Sequence, residues 1–289
     1  MRLKTFHRTT YLYSLPARSS INELRLSPEE NDRQKPKSQR LTIEPATELQ
    51  ESRDLFGNLT HTFEVEERHE QLSILVESEV ETNNSDDLHQ KAMEVPLSEK
   101  ILGEQKDPSL YEFLSEGQYV QRDPETWREA LDIRERCDQT YGGFIKSLSD
   151  FIFENCTYKE QLIHGMKSCS EVQKTKVGTC QDFSHLMLGY CRALGIPARY
   201  LSGYLYDPGI EEESDPSLIG AEYIHAWVEA HVPGLGWLGI DPTNQRWVDE
   251  HYISLAFGKD YHDVAPIRGS LLGGGKKRDL KVELSVTRA

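Results

Sequence analysis

Residues 176–200 read KVGTCQDFSHLMLGYCRALGIPARY, and the position of one cysteine in this stretch decides how the chain is interpreted. Phe183, Leu186, Met187, Tyr190, Cys191 and Leu194 recur at i, i+3, i+4, i+7, i+8 and i+11, one apolar face of a helix over 180–194. Gly195 and Pro197 stop that helix. Thr179 and Asp182 have the Thr-x-x-Asp spacing of a capping box, which makes Thr179 the N-cap and Cys180 the first helical residue. Cys180 therefore sits at the very start of the helix, where orphan N–H groups and the positive end of the helix dipole favour a thiolate. The same N–H groups can hold the oxyanion formed when sulfur attacks a carbonyl. Asp182 opposes the thiolate in part by its charge. Cys191 lies in the stripe and reads as inert core.

A sulfur nucleophile needs a base and a group that orients the base. The stretch EYIHAWVEAHVPGLGWLGIDPTN (222–244) offers both. Ala226, Val228, Ala230 and Val232 alternate along a strand over 223–232 and suit a core, which puts His225, Trp227, Glu229 and His231 on the other face, as a cleft wall. The turn PGLG returns the chain through WLGID. With a three-residue loop, 232 pairs with 236 and 227 with 241, so Asp241 shares the face of His225 and lies diagonally from it. A slip of one residue would move it to the opposite face. His231 and Glu229 are rivals for the base and orienter roles.

The remaining composition narrows the setting. The chain has 289 residues, with 33 basic and 48 acidic side chains and a formal charge of −15. Such a charge repels nucleic acid and anionic membranes, so neither is an expected partner. The five cysteines show no Cys-x-x-Cys spacing and fit free thiols in a reducing compartment. The N-terminus lacks the apolar core of a signal peptide, and no apolar run is long enough to span a bilayer, which makes the cytoplasm the expected compartment. No ligand cluster calls for a metal or cofactor.

Two units are expected. Residues 1–95 read as strands in KTFHRTTYLYS, SINELRLS and QRLTIEP, with LTHTFEVEE and EQLSILVESEVE forming a hairpin around RHE, so this part is a β-sandwich-like accessory domain. Residues 96–122 read as a linker. Asp123-Pro124 opens a helix, GFIKSLSDFIFENC reads as a second, and strands follow at 198–206, 223–232, 236–241 and 279–287. The unit over 123–289 is thus α+β, with the nucleophile helix packed on an antiparallel sheet.

GTCQDFSHLMLGYCRALGIPARYLSGYLYD, IHAWVEAHVPGLGWLGIDPTN and DVAPIRGSLLGGG together resemble the bacterial transglutaminase-like proteins, a branch of the papain-like cysteine enzymes. The first two stretches carry the Cys, His and Asp positions of that family at Cys180, His225 and Asp241. The resemblance covers about 120–289, and the first 95 residues are similar to the β-rich domain often attached to it. It implies acyl transfer through a thioester, with His225 as base and acid and Asp241 as its orienter. The Cys180 N–H would form part of the oxyanion hole. Tyr158, Gln181 and Trp227 are the further oxyanion or cleft candidates. Hydrolysis of a peptide or amide bond is the first expectation for the reaction, on a peptide or protein substrate. Glutamine transamidation or deamidation, or a non-catalytic binding module, are the alternatives. The family's calcium dependence in animals is not carried over, because the acidic loop YDPGIEEESDPS (206–217) has no EF-hand spacing and reads as a solvated loop that could gate the cleft. A redox couple of Cys180 with Cys191 is ruled out by their separation of about 16 Å along one helix.

Overall fold

The computed structural model describes residues 1–84, 86–97, 107–159, 165–211 and 218–289. Its first sheet is organised by one 23-residue strand, β1 (Arg2–Leu24). The segments KTFHRTTYLYS and SINELRLS are the two halves of this strand, not separate strands. The register shifts between Leu12 and Ala17, across exposed residues that include Pro16, which has no N–H to donate.

The other strands of this sheet either pair with β1 directly or are added outside a strand that does. β2 (Gln34–Glu44) pairs with β5 (His69–Thr82), and β3 (Gln50–Arg53) pairs with β4 (Leu59–Val65). Both β4 and β5 run antiparallel to β1, with Ser20 opposite Val65 and Ala17 opposite His69. The expected hairpin around RHE is therefore absent. Residues 66–68 make a jog along one edge of β1, because each of the two strands finds its partner in β1.

The second unit holds a five-stranded antiparallel sheet and the helices. Its strands are β8 (Ala198–Leu205), β9 (His225–Val232), β10 (Gly236–Asp241), β11 (Arg246–Trp247) and β12 (Tyr252–Gly258), in the order β11-β10-β9-β8-β12. A two-residue parallel ladder joins β6 (Thr157–Tyr158) to β7 (Val177–Gly178). The helix Cys180–Ala193 packs on the β9 face formed by Ala226, Val228, Ala230 and Val232, the face expected to be core. Helices Pro124–Arg136 and Tyr141–Asn155 stand where they were expected, and Asp123 caps the first through Thr126 N at 2.8 Å. The helix Cys169–Thr175 was missed, although Ser168 and Glu171 form a capping box at its start.

Three boundaries differ from expectation. β13 (Ile267–Gly273) and β14 (Arg278–Arg288) pair with β1, from Leu24 opposite Ile267 to Leu3 opposite Arg288, so the unit expected over 123–289 gives its last strands to the first sheet. Gly273, Gly274 and Gly275 all have positive φ, which lets this ribbon jog where β1 does. The helix Asp86–Ala92 lies inside the span expected to be β, yet Ala92 and Leu97 join the second unit's core. Of the expected linker, 98–106 lies outside the described residues, while Leu110, Phe113 and Val120 are buried and Tyr119 N donates to Asp260 at 2.8 Å.

The two units share a core. Leu3, Leu24, Ile74 and Val76 of the first sheet pack with Tyr204, Tyr206, Ile253 and Leu255 of the second. The side-chain amides of Gln34 and Asn58 each exchange two hydrogen bonds with the β12 backbone, at Ser254 and Phe257, all between 2.8 and 2.9 Å. They cover an edge that would otherwise leave unpaired N–H and C=O groups. Gly203 of β8 lies opposite His225, and a Cβ there would fall onto the Ile253 carbonyl and the Trp227 ring. Gly203→Ala should cost about 2 kcal/mol or more through overpacking, read as a lower urea midpoint.

Candidate active site

Cys180 opens its helix after Thr179, whose extended backbone turns the chain inward. The Asp182 carboxylate accepts from Thr179 N at 3.0 Å and from Lys167 N at 2.8 Å, which fixes the approach to the helix on both sides. Cys180 is 4% exposed, and its sulfur donates to the Gln181 side chain at 3.3 Å. Tyr158 pairs with Gly178, two residues before Cys180, and its ring meets Phe183 edge-on at 6.3 Å. The other buried thiols lie in apolar surroundings, where burial pushes Cys191 up to about 12.

His225 is the first residue of β9 and Asp241 the last of β10, and both are fully buried. The register is the one expected from a three-residue loop, with Val232 opposite Gly236 and Val228 opposite Ile240. His225 Nε2 lies 2.7 Å from Asp241 Oδ2 and donates to it. Nδ1 makes no hydrogen bond among the described residues, and the Cys180 sulfur is near enough to act on the ring's charge. Burial lowers the imidazole's affinity for a proton, but the Asp241 carboxylate and the Cys180 sulfur more than reverse this and raise its pKa to about 10. Burial likewise raises Asp241, and His225 outweighs it, so the carboxylate stays below its usual range.

Asp241 carries more partners than the sequence suggested. Oδ2 also accepts from Asn244 Nδ2 at 2.7 Å and from the Tyr252 hydroxyl at 2.8 Å, and Oδ1 accepts from Thr243 N at 2.8 Å and Asn244 N at 3.3 Å. Asn244 had a sequence signal in the turn DPTN. Tyr252 had none, since the strand that carries it was not recognised. The Asn244 amide also exchanges two hydrogen bonds with Ile219, at 2.8 and 3.1 Å. Leu218 N is held by Asp207 at 2.7 Å. Gly220 follows with φ +89, and a Cβ there would sit 2.5 Å from His225 Nδ1. The segment 218–220 is therefore strapped across the imidazole. Residues 212–217 of the loop expected to gate the cleft lie outside the described residues.

The other sequence candidates are placed as follows. Trp227 is buried, stacked near His225 at 6.3 Å and edge-on to Tyr252 at 5.2 Å, so it packs beside the imidazole and is not an open cleft wall. Glu229 is paired with Arg199 at 2.6 Å. His231 lies six residues along β9 from His225, about 20 Å away, too far to serve Cys180. Among the described residues, Asp249, Glu250 and His251 could approach a metal together, but Asp249 is already engaged by Arg246 and His251.

The His225–Asp241 pair carries a pH signature. A histidine raised from about 6.5 to about 10 contributes stability that is full below about pH 6.5 and is lost as pH rises through 10. The lowered Asp241 contributes stability that is present above about pH 4 and is lost as pH falls through its folded value. Both statements describe one pair, whose contribution is counted once. Wild-type urea midpoints should therefore decline between about pH 6.5 and 10, and His225→Ala should flatten that decline.

Comparison with known proteins places these elements. The profile of the transglutaminase-like superfamily matches residues 130–242, and that of the bacterial transglutaminase-like N-terminal region matches residues 3–81. An uncharacterized protein of Mycobacterium leprae is 31% identical over 296 residues, covering 99% of both chains. A protein-glutamine gamma-glutamyltransferase of Pseudomonas aeruginosa is 38% identical over 71 residues, 25% of this chain and 10% of that one. In solved structures, a protein of Cytophaga hutchinsonii described as a candidate cysteine protease aligns with a TM-score of 0.76 at 21% identity, covering 100% of this chain and 91% of that one.

Proposed function

Because the chain belongs to the transglutaminase-like superfamily, whose chemistry is cysteine-based, we propose that it transfers acyl groups through a thioester on Cys180, with hydrolysis of a peptide or amide bond as the reaction. The observation that carries this is the buried His225, held by Asp241 through Nε2, with its proton affinity raised by a neighbouring cysteine at a helix N-terminus. The sulfur, its proton held by His225, attacks the carbonyl carbon, and the oxyanion takes the Cys180 N–H, with the Gln181 side chain beside it. The C–N bond then breaks, and His225 gives its proton to the leaving amine. Water, deprotonated by His225, attacks the thioester, and the carboxylic acid leaves as sulfur is released. The substrate is a peptide or protein carbonyl, and the cytoplasm is the proposed setting. Access requires the strap over His225 to move.

The short match to a glutamine gamma-glutamyltransferase supports a second reading, in which an amine consumes the same thioester. One experiment separates the two. A glutamine-rich protein is incubated with the enzyme, with and without a fluorescent primary amine, and cleavage, ammonia and amine incorporation are followed. Cleavage, or ammonia release without incorporation, fits hydrolysis. Incorporation that outpaces both makes transamidation the reaction, and none of these from a reactive Cys180 makes the chain a binding module.

A further inference from the structure

Among the described residues, the last strand of the chain has an edge with no partner strand. Ala289 N donates to Arg2 O at 3.0 Å and Ser14 N to Lys277 O at 3.1 Å, which fixes the phase of the β1–β14 ladder. Asp279, Lys281, Glu283, Ser285 and Thr287 therefore turn their N–H and C=O groups toward β1, and Leu280, Val282, Leu284 and Val286 turn theirs away. Among the described residues β14 pairs with β1 alone. An uncovered edge of 11 residues is long for a soluble protein, and such edges recruit another strand.

This edge lies beside the candidate site. A cavity of about 280 Å³ has Val282, Leu284 and Val286 on one wall and Ala221, Glu222 and Tyr223 on the other. Ile224, the residue before His225, packs in the same apolar cluster as Leu284 and Val286. The outward backbone groups of β14 thus border a groove whose far wall runs directly into the strap and the base. The groove also has a sign of charge. Asp207, Glu222 and Glu283 line it, and among the described residues no Lys, Arg or His does. Glu283 meets Arg8 at 3.4 Å across the solvent side, and among the described residues Glu222 lines the groove with no cation paired to it.

We propose that β14 is the docking edge for the substrate polypeptide: an extended segment bearing a lysine or arginine adds to it as a strand, with the basic side chain at Glu222 and the chain directed toward His225. Main-chain hydrogen bonds supply the affinity and the acidic wall the selectivity. The proposal gives the N-terminal unit a role in substrate capture, and it rests on the acyl-transfer reading for its destination but not for its binding step.

The test uses a fluorescein-labelled hexapeptide of alternating valine and lysine, with binding to the full chain followed by anisotropy. The wild type should bind it saturably and more weakly as salt rises. Val282→Pro removes an N–H that faces away from β1, so the sheet is kept while the edge loses a donor. That variant should bind at least tenfold more weakly, and Glu222→Lys, which leaves the backbone untouched, should do the same. No saturable binding to wild type, or wild-type affinity in Glu222→Lys and in a folded Val282→Pro, overturns the proposal. The same peptide tipped with chloroacetamide should label Cys180 faster than chloroacetamide alone, and equal rates would overturn the link between groove and site. A Cys180 that reacts with neither reagent contradicts the catalytic reading, and the anisotropy result still decides the groove.

Discussion

At pH 6, Cys180 in His225→Ala should be alkylated by iodoacetamide on the order of a hundredfold more slowly than in the wild type. The reagent reads the thiolate, and a free cysteine ionises near pH 8.5, so about 0.3% of it is reactive at pH 6. In the wild type the proton has a better place. His225 is raised to about 10 by Asp241 and by the sulfur itself, against the burial that would lower it. A protonated imidazole beside the sulfur favours negative charge there, and the wild-type rate is expected to hold well below pH 8. Removing the imidazole also leaves Asp241 with its remaining donors, Asn244, Tyr252 and the Thr243 and Asn244 amides, so the fold should survive. Rates measured from pH 5 to 9, with peptide mapping to Cys180, check the result. An alanine variant whose rate profile matches the wild type would remove His225 from the chemistry.

Asp241→Asn should be nearly as damaging to activity and more damaging to stability. Both carboxylate oxygens accept from donors: Oδ2 from His225, Asn244 and Tyr252, and Oδ1 from two backbone N–H groups. An asparagine amide must turn its NH₂ toward one of these sets, so neither orientation satisfies the site. With NH₂ toward His225 the imidazole loses its acceptor and can take the wrong tautomer, which in a comparable triad lowers kcat by about 10⁴. With NH₂ toward the turn, two buried N–H groups are orphaned, at about 1–3 kcal/mol each. The expected outcome is a loss of activity on the order of 10³ or more, with an unfolding free energy lowered by about 1–3 kcal/mol per orphaned group. Single-turnover acylation and urea unfolding on one preparation check both parts. Activity within tenfold of wild type would show that Asp241 is only a structural acceptor.

What the sequence revealed was mostly local. The stripe from Phe183 to Leu194 and the Thr179–Asp182 spacing located the helix that Cys180 opens, because helical periodicity and caps are written within a few residues. The relation of His225 to Asp241 was legible because the PGLG turn sets the register of two adjacent strands. Tyr252 was not legible, since its contact with Asp241 depends on where β12 joins the sheet. The N-terminal half shows the same limit. Alternation in LTHTFEV and QLSILVES marked strands, but their choice of β1 over each other is a long-range pairing. The C-terminal strands were misplaced for that reason: Arg288 pairs with Leu3, at the opposite end of the chain.

The most direct measurement of the central claim is to trap the acyl-enzyme. Wild type and His225→Ala are mixed with p-nitrophenyl acetate at pH 6, quenched in acid within seconds, digested and examined by mass spectrometry. Acetylation of the peptide containing Cys180, removed by hydroxylamine and absent in the variant, is the predicted result. A wild-type Cys180 that stays unacetylated while iodoacetamide still alkylates it would mean that the sulfur is accessible but makes no thioester, and the acyl-transfer account would be wrong.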